Sequence, residues 1–216
     1  MVGLRERKYA RTRLTLCRVL LKAMEKTPYQ DVSVRELCDK AEFSEATFFN
    51  YFPQKQDCLQ LAIQLWLLEL SSQLERSETQ PGISRIQTIF NLVALHSREH
   101  PGFMLAVIHW VASGGQLSEQ FAPSLLERQF NFPDDRSVDE MRVLGFDRLL
   151  GNQLQAAVSS GQLPSNTLLP TVMAGLLSLL FGMPLILLGS DPGRIGSLYQ
   201  QQLQLYWSGL QAVSRG

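Results

Sequence analysis

Apolar residues recur three and four positions apart along nearly the whole chain, and no run alternates polar and apolar for long enough to make a strand. The pattern predicts an all-α protein of about nine helices with no sheet. A first helix runs from about Arg5 to Lys26, with Leu14, Cys17, Leu21 and Met24 on one face and Arg11, Arg18 and Lys22 off it. Thr27-Pro28 ends it, because the residue before a proline is pushed out of helical geometry. Ser33 opens a short second helix that stops near Ala41. Its "SVRE" has the spacing of a capping box, in which Glu36 reaches back to the Ser33 amide. After a three-residue turn Ser44 caps a third helix, which Pro53 terminates. Gln54 to about Glu78 forms a long fourth helix with Cys58, Leu61, Leu65 and Leu68 on one side, and "SETQPG" breaks the chain near residue 80. Helical spans continue to about residue 213, among them 118–130, 136–160, 166–188 and 194–213, with proline or glycine at most joints.

Two short helices joined by a three-residue turn, after a longer helix, have helix-turn-helix spacing. The second helix of such a pair enters the major groove of DNA, so it needs an inward and an outward side. The candidate is "SEATFFNYFPQK", Ser44 to Lys55. Its rings at Phe48, Phe49, Tyr51 and Phe52 cannot all point one way on a two-turn helix. Phe48 and Phe52, four apart, are expected inward against Leu37 and Leu16 or Leu20. Glu45, Ala46, Phe49 and Asn50 then face outward. Phe49 and Tyr51, at the outer edge, can press on sugars and thymine methyls, and the tyrosine hydroxyl can donate to phosphate. Lys55, in the first turn of the next helix, adds a cation where free amides already favour a phosphate oxygen.

Charge sharpens this picture through its distribution. The 216 residues have a formal net charge of zero, yet residues 1–26 carry eight Lys and Arg against two acids. All five lysines lie within the first 55 residues. A basic front on an acidic body is the footprint of a polyanion-binding head, although a solvated basic helix face has the same composition. The three cysteines, Cys17, Cys38 and Cys58, show no C-x-x-C spacing and sit among apolar residues. They read as small core residues of a reduced, cytoplasmic protein. The first residues carry charges where a signal peptide needs an apolar run.

The stretch "KTPYQDVSVRELCDKAEFSEATFFNYFPQKQDCLQLAI" resembles the N-terminal domain of the TetR/AcrR family of one-component transcriptional regulators. Ser33, Val34, Leu37, Ala41, Ser44, Thr47, Phe48, Tyr51, Phe52, Lys55 and Leu59 match the family pattern in register and without a gap. The resemblance implies a DNA-binding domain over 1–55 and a ligand-sensing and dimerisation domain over 56–216. It implies a homodimer on an inverted-repeat operator in double-stranded DNA, most simply a repressor released by a small effector. By position it makes Arg35 and Asn50 base readers and Thr47, Tyr51 and Lys55 phosphate contacts, with Ser44, Glu45, Ala46 and Phe49 completing the surface. Three departures bear on the operator. Glu42-Phe43 stands where the family prefers Gly-Val, Phe49 replaces a frequent tyrosine, and Glu45 puts a carboxylate at the reading edge.

Residues 149–190 carry no charge, and "LLPTVMAGLLSLLFGMPLILLG" is long enough to cross a membrane. No Lys or Arg flanks it closely, and Pro170 and Pro184 interrupt it, which favours a helix buried partly in its own domain and partly against a partner subunit. Ala174, Ser178 and Gly182 recur every fourth residue, a small-residue stripe where another helix can approach, and the last helix can supply Leu203, Tyr206 and Leu210. The family resemblance places the dimer seam here.

The same resemblance implies an effector pocket between head and seam. That region holds Trp66, Phe90, His96, Phe103, His109, Trp110, Phe121 and Met141, an apolar set with imidazoles as polar markers, suited to a lipophilic or aromatic effector. No metal or cofactor is expected, because His96 and His100 lack a convincing third ligand. Two other functional classes remain as alternatives: a small helical enzyme using His96 or His109, and a membrane-associated protein anchored by residues 168–189.

Overall fold

The computed structural model describes residues 3–213 and contains, among them, ten α-helices and no strand. In chain order these are α1 (Leu4–Met24), α2 (Val34–Ala41), α3 (Glu45–Tyr51), α4 (Lys55–Arg76) and α5 (Ile83–Glu99), followed by α6 (Pro101–Ala112), α7 (Leu125–Asn131), α8 (Phe146–Ser159), α9 (Leu169–Leu187) and α10 (Ile195–Val213). Short 3-10 turns at Glu119–Phe121, Arg136–Asp139 and Pro192–Arg194 occupy joints between them. The all-helical class is as the periodicity predicts, with one helix more than the nine expected.

Two spans that the periodicity overran have physical stops. The helix expected over 118–130 breaks at Pro123, because Ala122 before it is extended (φ −59°, ψ 141°). Ser124 then starts α7 afresh with a complete capping box to Glu127. The helix expected over 136–160 shrinks to a 3-10 turn and α8. The Arg128 guanidinium takes the carbonyls of Val138, Asp139 and Met141 at 2.9, 3.4 and 2.5 Å. Three carbonyls converging on one guanidinium do not point along a common axis as helical carbonyls do, and residues 141–145 are non-helical.

The chain divides into two compact units: the residues up to Ser72 with His109–Val143, and Gln73–Ile108 with Leu144 onward. The boundary expected at residue 55 therefore falls inside the first unit, at the start of α4.

In the first unit Leu16, Leu20, Leu37, Phe48, Phe52, Leu59 and Leu61 are fully buried. Cys17, Cys38 and Cys58 fill core positions as free thiols, with the sulfurs of Cys17 and Cys58 3.6 Å apart. From Cys58 to Leu68 every α4 residue is buried, so this helix lacks the single apolar side expected of it. Its buried polar groups are paired. Gln60 and Gln64 donate to the carbonyls of Gln116 (3.0 Å) and Ser118 (3.2 Å), and Gln60 accepts from the Ser118 amide.

The second unit packs α5, α8, α9 and α10. Phe90 meets Tyr199 edge-on at 4.8 Å, and the Tyr199 hydroxyl donates to the Leu180 carbonyl. Val172, Leu176, Leu180 and Pro184 bury one stripe of α9, while Leu185 (59%) and Ile186 (70%) stay exposed. Thus α9 is covered on one side rather than all round. The glycine that admits α10 is Gly175, where an added Cβ would overlap the Tyr206 hydroxyl. That hydroxyl donates to the Val172 carbonyl at 3.1 Å. On α5, His96 packs against His100 (4.7 Å) and Phe103 (5.4 Å). Burial, and next the neighbouring His100, pull the His96 pKa down to about 3.

Two expectations follow. Gly175→Ala displaces Tyr206 and lowers stability by about 1–3 kcal/mol, whereas Ser178→Ala on the exposed side changes it by less than about 0.5; thermal unfolding of both variants checks this. An unfolded histidine binds its proton below about pH 6.5, whereas native His96 resists it until about pH 3. Its contribution to stability is therefore complete above pH 6.5 and lost as the pH falls toward 3. Denaturant midpoints between pH 7.5 and 4.5 should fall more steeply for the wild type than for His96→Phe; parallel profiles would refute the assignment.

Candidate nucleic-acid interface

Ser33 caps α2 by accepting from the Glu36 amide at 3.1 Å. The Glu36 carboxylate pairs with Lys40 one turn on, at 2.7 Å, so the reciprocal half of the expected capping box is not formed. The chain then turns through Glu42, Phe43 and Ser44. Glu42 is in the left-handed conformation (φ 58°, ψ 40°), the only non-glycine with positive φ among the described residues. The Phe43 amide closes the turn on the Cys38 carbonyl at 3.0 Å. Ser44 caps α3, accepting from the Thr47 amide (3.1 Å), and its hydroxyl lies 2.8 Å from that of Thr47. Ser44 and Thr47 thus support the helix start as well as standing where DNA contacts are expected.

The rings of α3 divide as their number requires. Phe48 and Phe52 are fully buried with centroids 5.8 Å apart, in the core that holds Leu16, Leu20 and Leu37. Glu45, Ala46, Phe49 and Asn50 are exposed, and so is Arg35 on α2. Tyr51 is half-buried, its ring 4.9 Å from that of Tyr9 on α1.

Behind α3 lies a buried ion pair that the periodicity did not reveal. Arg13 of α1 faces Glu127 of α7 at 3.3 Å, with side chains 7% and 0% exposed. The same guanidinium stands 5.1 Å from the Phe52 ring centroid and 5.6 Å from that of Tyr9. Arg11 lies 5.1 Å from Phe130. One signal was present in the sequence. Arg13 falls three residues after Ala10 and four before Cys17, on the buried stripe of α1.

Lys55 differs most from its expected role. Its ammonium donates to the carbonyls of Tyr29 (2.7 Å), Gln30 (3.3 Å) and Val32 (2.6 Å). The nearby Gln54 amide is bonded to the Asp57 carboxylate at 2.8 Å, so the chain supplies its own anion at the α4 start. The sequence placed a cation here but not the carbonyls that hold it.

Of the expected effector residues, Trp66, His109, Trp110, Phe121 and Met141 belong to the first unit and Phe90, His96 and Phe103 to the second. Phe90, Phe103, Trp66 and Trp110 are buried, and His109 is exposed. None of them lines the groove of about 570 Å³ between α1 and α7 or the two grooves along α9 and α10. His96 and His109, either of which the alternative enzyme reading would use, fall in different units.

Of the expected seam residues, Ala174 and Ser178 are exposed and Gly182 has open space beside it. Tyr206 and Leu210 are half-buried. Leu203 is buried in its own unit, so it is not a surface position; its neighbour Leu205, 66% exposed, takes that place on α10. A groove of about 580 Å³ bounded by Ser178, Gly182, Ile186, Leu205 and Tyr206 lies along this face.

A three-helix head with a capped, half-exposed second helix after a tight turn defines a helix-turn-helix DNA-binding protein. Residues 19–62 match the family model described as bacterial regulatory proteins, tetR family. No curated protein matches the sequence closely enough to count as a relative. The fold is similar to that of Thermus thermophilus FadR, described as a TetR family transcriptional repressor in complex with lauroyl-CoA (TM-score 0.60, 19% identity, covering 89% of this chain and 92% of that one). It is also similar to a TetR transcription regulator from Haloarcula marismortui (0.64, 16% identity, 92% and 97%). RolR in complex with resorcinol is a third (0.55, 16% identity, 92% and 88%). The family-model match covers residues 19–62, the head module, and the likeness to these structures shows that the helical fold extends over most of the chain.

Glu42→Gly, which removes the left-handed strain, should raise stability by about 1 kcal/mol. Equilibrium denaturation of the two proteins measures it, and a loss of stability would show that the Glu42 side chain holds the turn.

Proposed function

We propose that the protein is a homodimeric, effector-responsive transcription repressor of the cytoplasm, with residues 1–55 as its DNA-binding part. The observation that carries this is the division of α3. Phe48 and Phe52 are sunk in the core, while Glu45, Ala46, Phe49 and Asn50 stand in solvent on a helix capped at Ser44. Asn50 and Arg35 are the base readers, and Tyr51, braced by Tyr9, is a phosphate or sugar contact. Glu45 repels phosphates but accepts from a cytosine amino group, which biases the operator toward G·C at that step.

One short helix makes few base contacts, so specificity requires two heads about 34 Å apart on one face of the duplex. The exposed apolar face of α9 and α10, with Ile186 and Leu205 on it, supports a second copy as the partner that covers it. Lauroyl-CoA in the Thermus thermophilus protein and resorcinol in RolR support a lipophilic or aromatic effector for this fold. Effector and operator then prefer different separations of the heads, and each weakens the binding of the other.

Selection of random duplexes by the purified protein at near-physiological salt should enrich an inverted repeat with half-sites about one helical turn apart. Arg35→Ala should relax preference at one position of each half-site, at a cost of about 1–3 kcal/mol against the preferred base. An unstructured pool with only salt-sensitive, non-specific binding would remove the repressor reading.

A further inference from the structure

We infer that Lys55 is a positioning residue of the DNA-binding head rather than a phosphate contact: its ammonium grips the turn before α2 and so closes the segment that carries the whole reading unit. The inference rests on the DNA-binding reading above. Lys55 Nζ donates to the carbonyls of Tyr29, Gln30 and Val32, at 2.7, 3.3 and 2.6 Å. An ammonium has three N–H donors and no acceptor, so its full set of directed bonds is spent inside the chain. The charge also lies 4.4 Å from the centroid of the Tyr29 ring, in cation–π range.

Both ends of this grip are fixed. At the turn, the amides of Asp31 and Val32 bond to the Pro28 carbonyl at 2.9 and 3.3 Å, and the Val32 side chain is buried. At the α4 end, the Gln54 amide is bonded to the Asp57 carboxylate. Between them in sequence lie only α2, the Glu42 turn and α3, so Lys55 holds the two ends of the helix-turn-helix together. Burial pulls the Lys55 pKa down against the opposing pull of Asp31, as expected for a cation drawn in from solvent. To reach a phosphate the ammonium would have to leave three carbonyls and an aromatic face at once.

The test uses the full chain and the operator duplex recovered by selection, titrated by fluorescence anisotropy at several salt concentrations. The temperature is one at which circular dichroism shows each variant folded. Lys55→Met keeps the aliphatic stem and removes the charge. Affinity should fall about tenfold or more while the slope of log K against log[salt] stays at the wild-type value. A slope smaller by about 0.9 per lysine lost would mark a phosphate contact and overturn the inference. Unchanged affinity with a lower melting temperature would make Lys55 a stabiliser only, and would also overturn it.

The wild type offers a second measurement that needs no variant. In the operator complex the Lys55 15Nζ signal should keep its position, and a scalar coupling from it to a DNA 31P would refute positioning. Failure of the wild type to select any operator is a separate result, which removes the DNA-binding reading and this inference with it. Each of the other adverse outcomes removes only the inference.

Discussion

Four aromatic rings on a helix of seven residues and its cap cannot share one face, and the head is built around that conflict. Phe48 and Phe52 take the core with Leu16, Leu20 and Leu37, and each contributes about 1.5–3 kcal/mol by burial. That gain exceeds the roughly 1 kcal/mol lost by holding Glu42 in a left-handed conformation, so the tight turn forms without the glycine it would favour. Once the two phenylalanines are seated the register of α3 is fixed, and Glu45, Ala46, Phe49 and Asn50 have only solvent to face.

The same core tolerates charge at its edge because aromatic faces and an opposite charge surround it. Arg13 sits against Phe52 and Tyr9 and reaches the fully buried Glu127. Removing one partner of such a pair leaves an uncompensated buried charge, which costs more than the pair gains. α7 is thereby tied to α1 within the first unit, on the side of α1 that packs against the last ring of the reading segment. The tie joins residues of the 109–143 segment to the head through one ion pair and the Arg11–Phe130 contact.

What the sequence revealed and what it hid follow a physical division. Serine caps, prolines and the 3.6-residue period are local signals, and they located α1 to α4 to within a few residues. The inward pair Phe48 and Phe52 was legible for the same reason, since spacing on one short helix decides it. The stop in the 136–160 span was not legible, because it depends on Arg128 meeting carbonyls ten to thirteen residues away. Lys55 was visible as a cation at a helix start, but its partners lie 23 to 26 residues back and are backbone atoms without a sequence signature. Leu203 and Leu205 show the limit of face assignment on a helix with apolar residues on more than one side. One is core, the other is surface, and no count of apolar positions separates them.

Arg128 holds its loop entirely through main-chain oxygens, those of Pro123, Val138, Asp139 and Met141. Every residue type supplies the same carbonyl. These four bonds therefore do not depend on which side chain each of those residues carries, whereas Asp135, Val138 and Asp139 also hold the segment through their own side chains. Substitutions at exposed positions such as Asp134 and Glu140 can change what the surface presents while the arginine keeps the path of the main chain. Variation in this segment is therefore expected at those positions rather than at Val138.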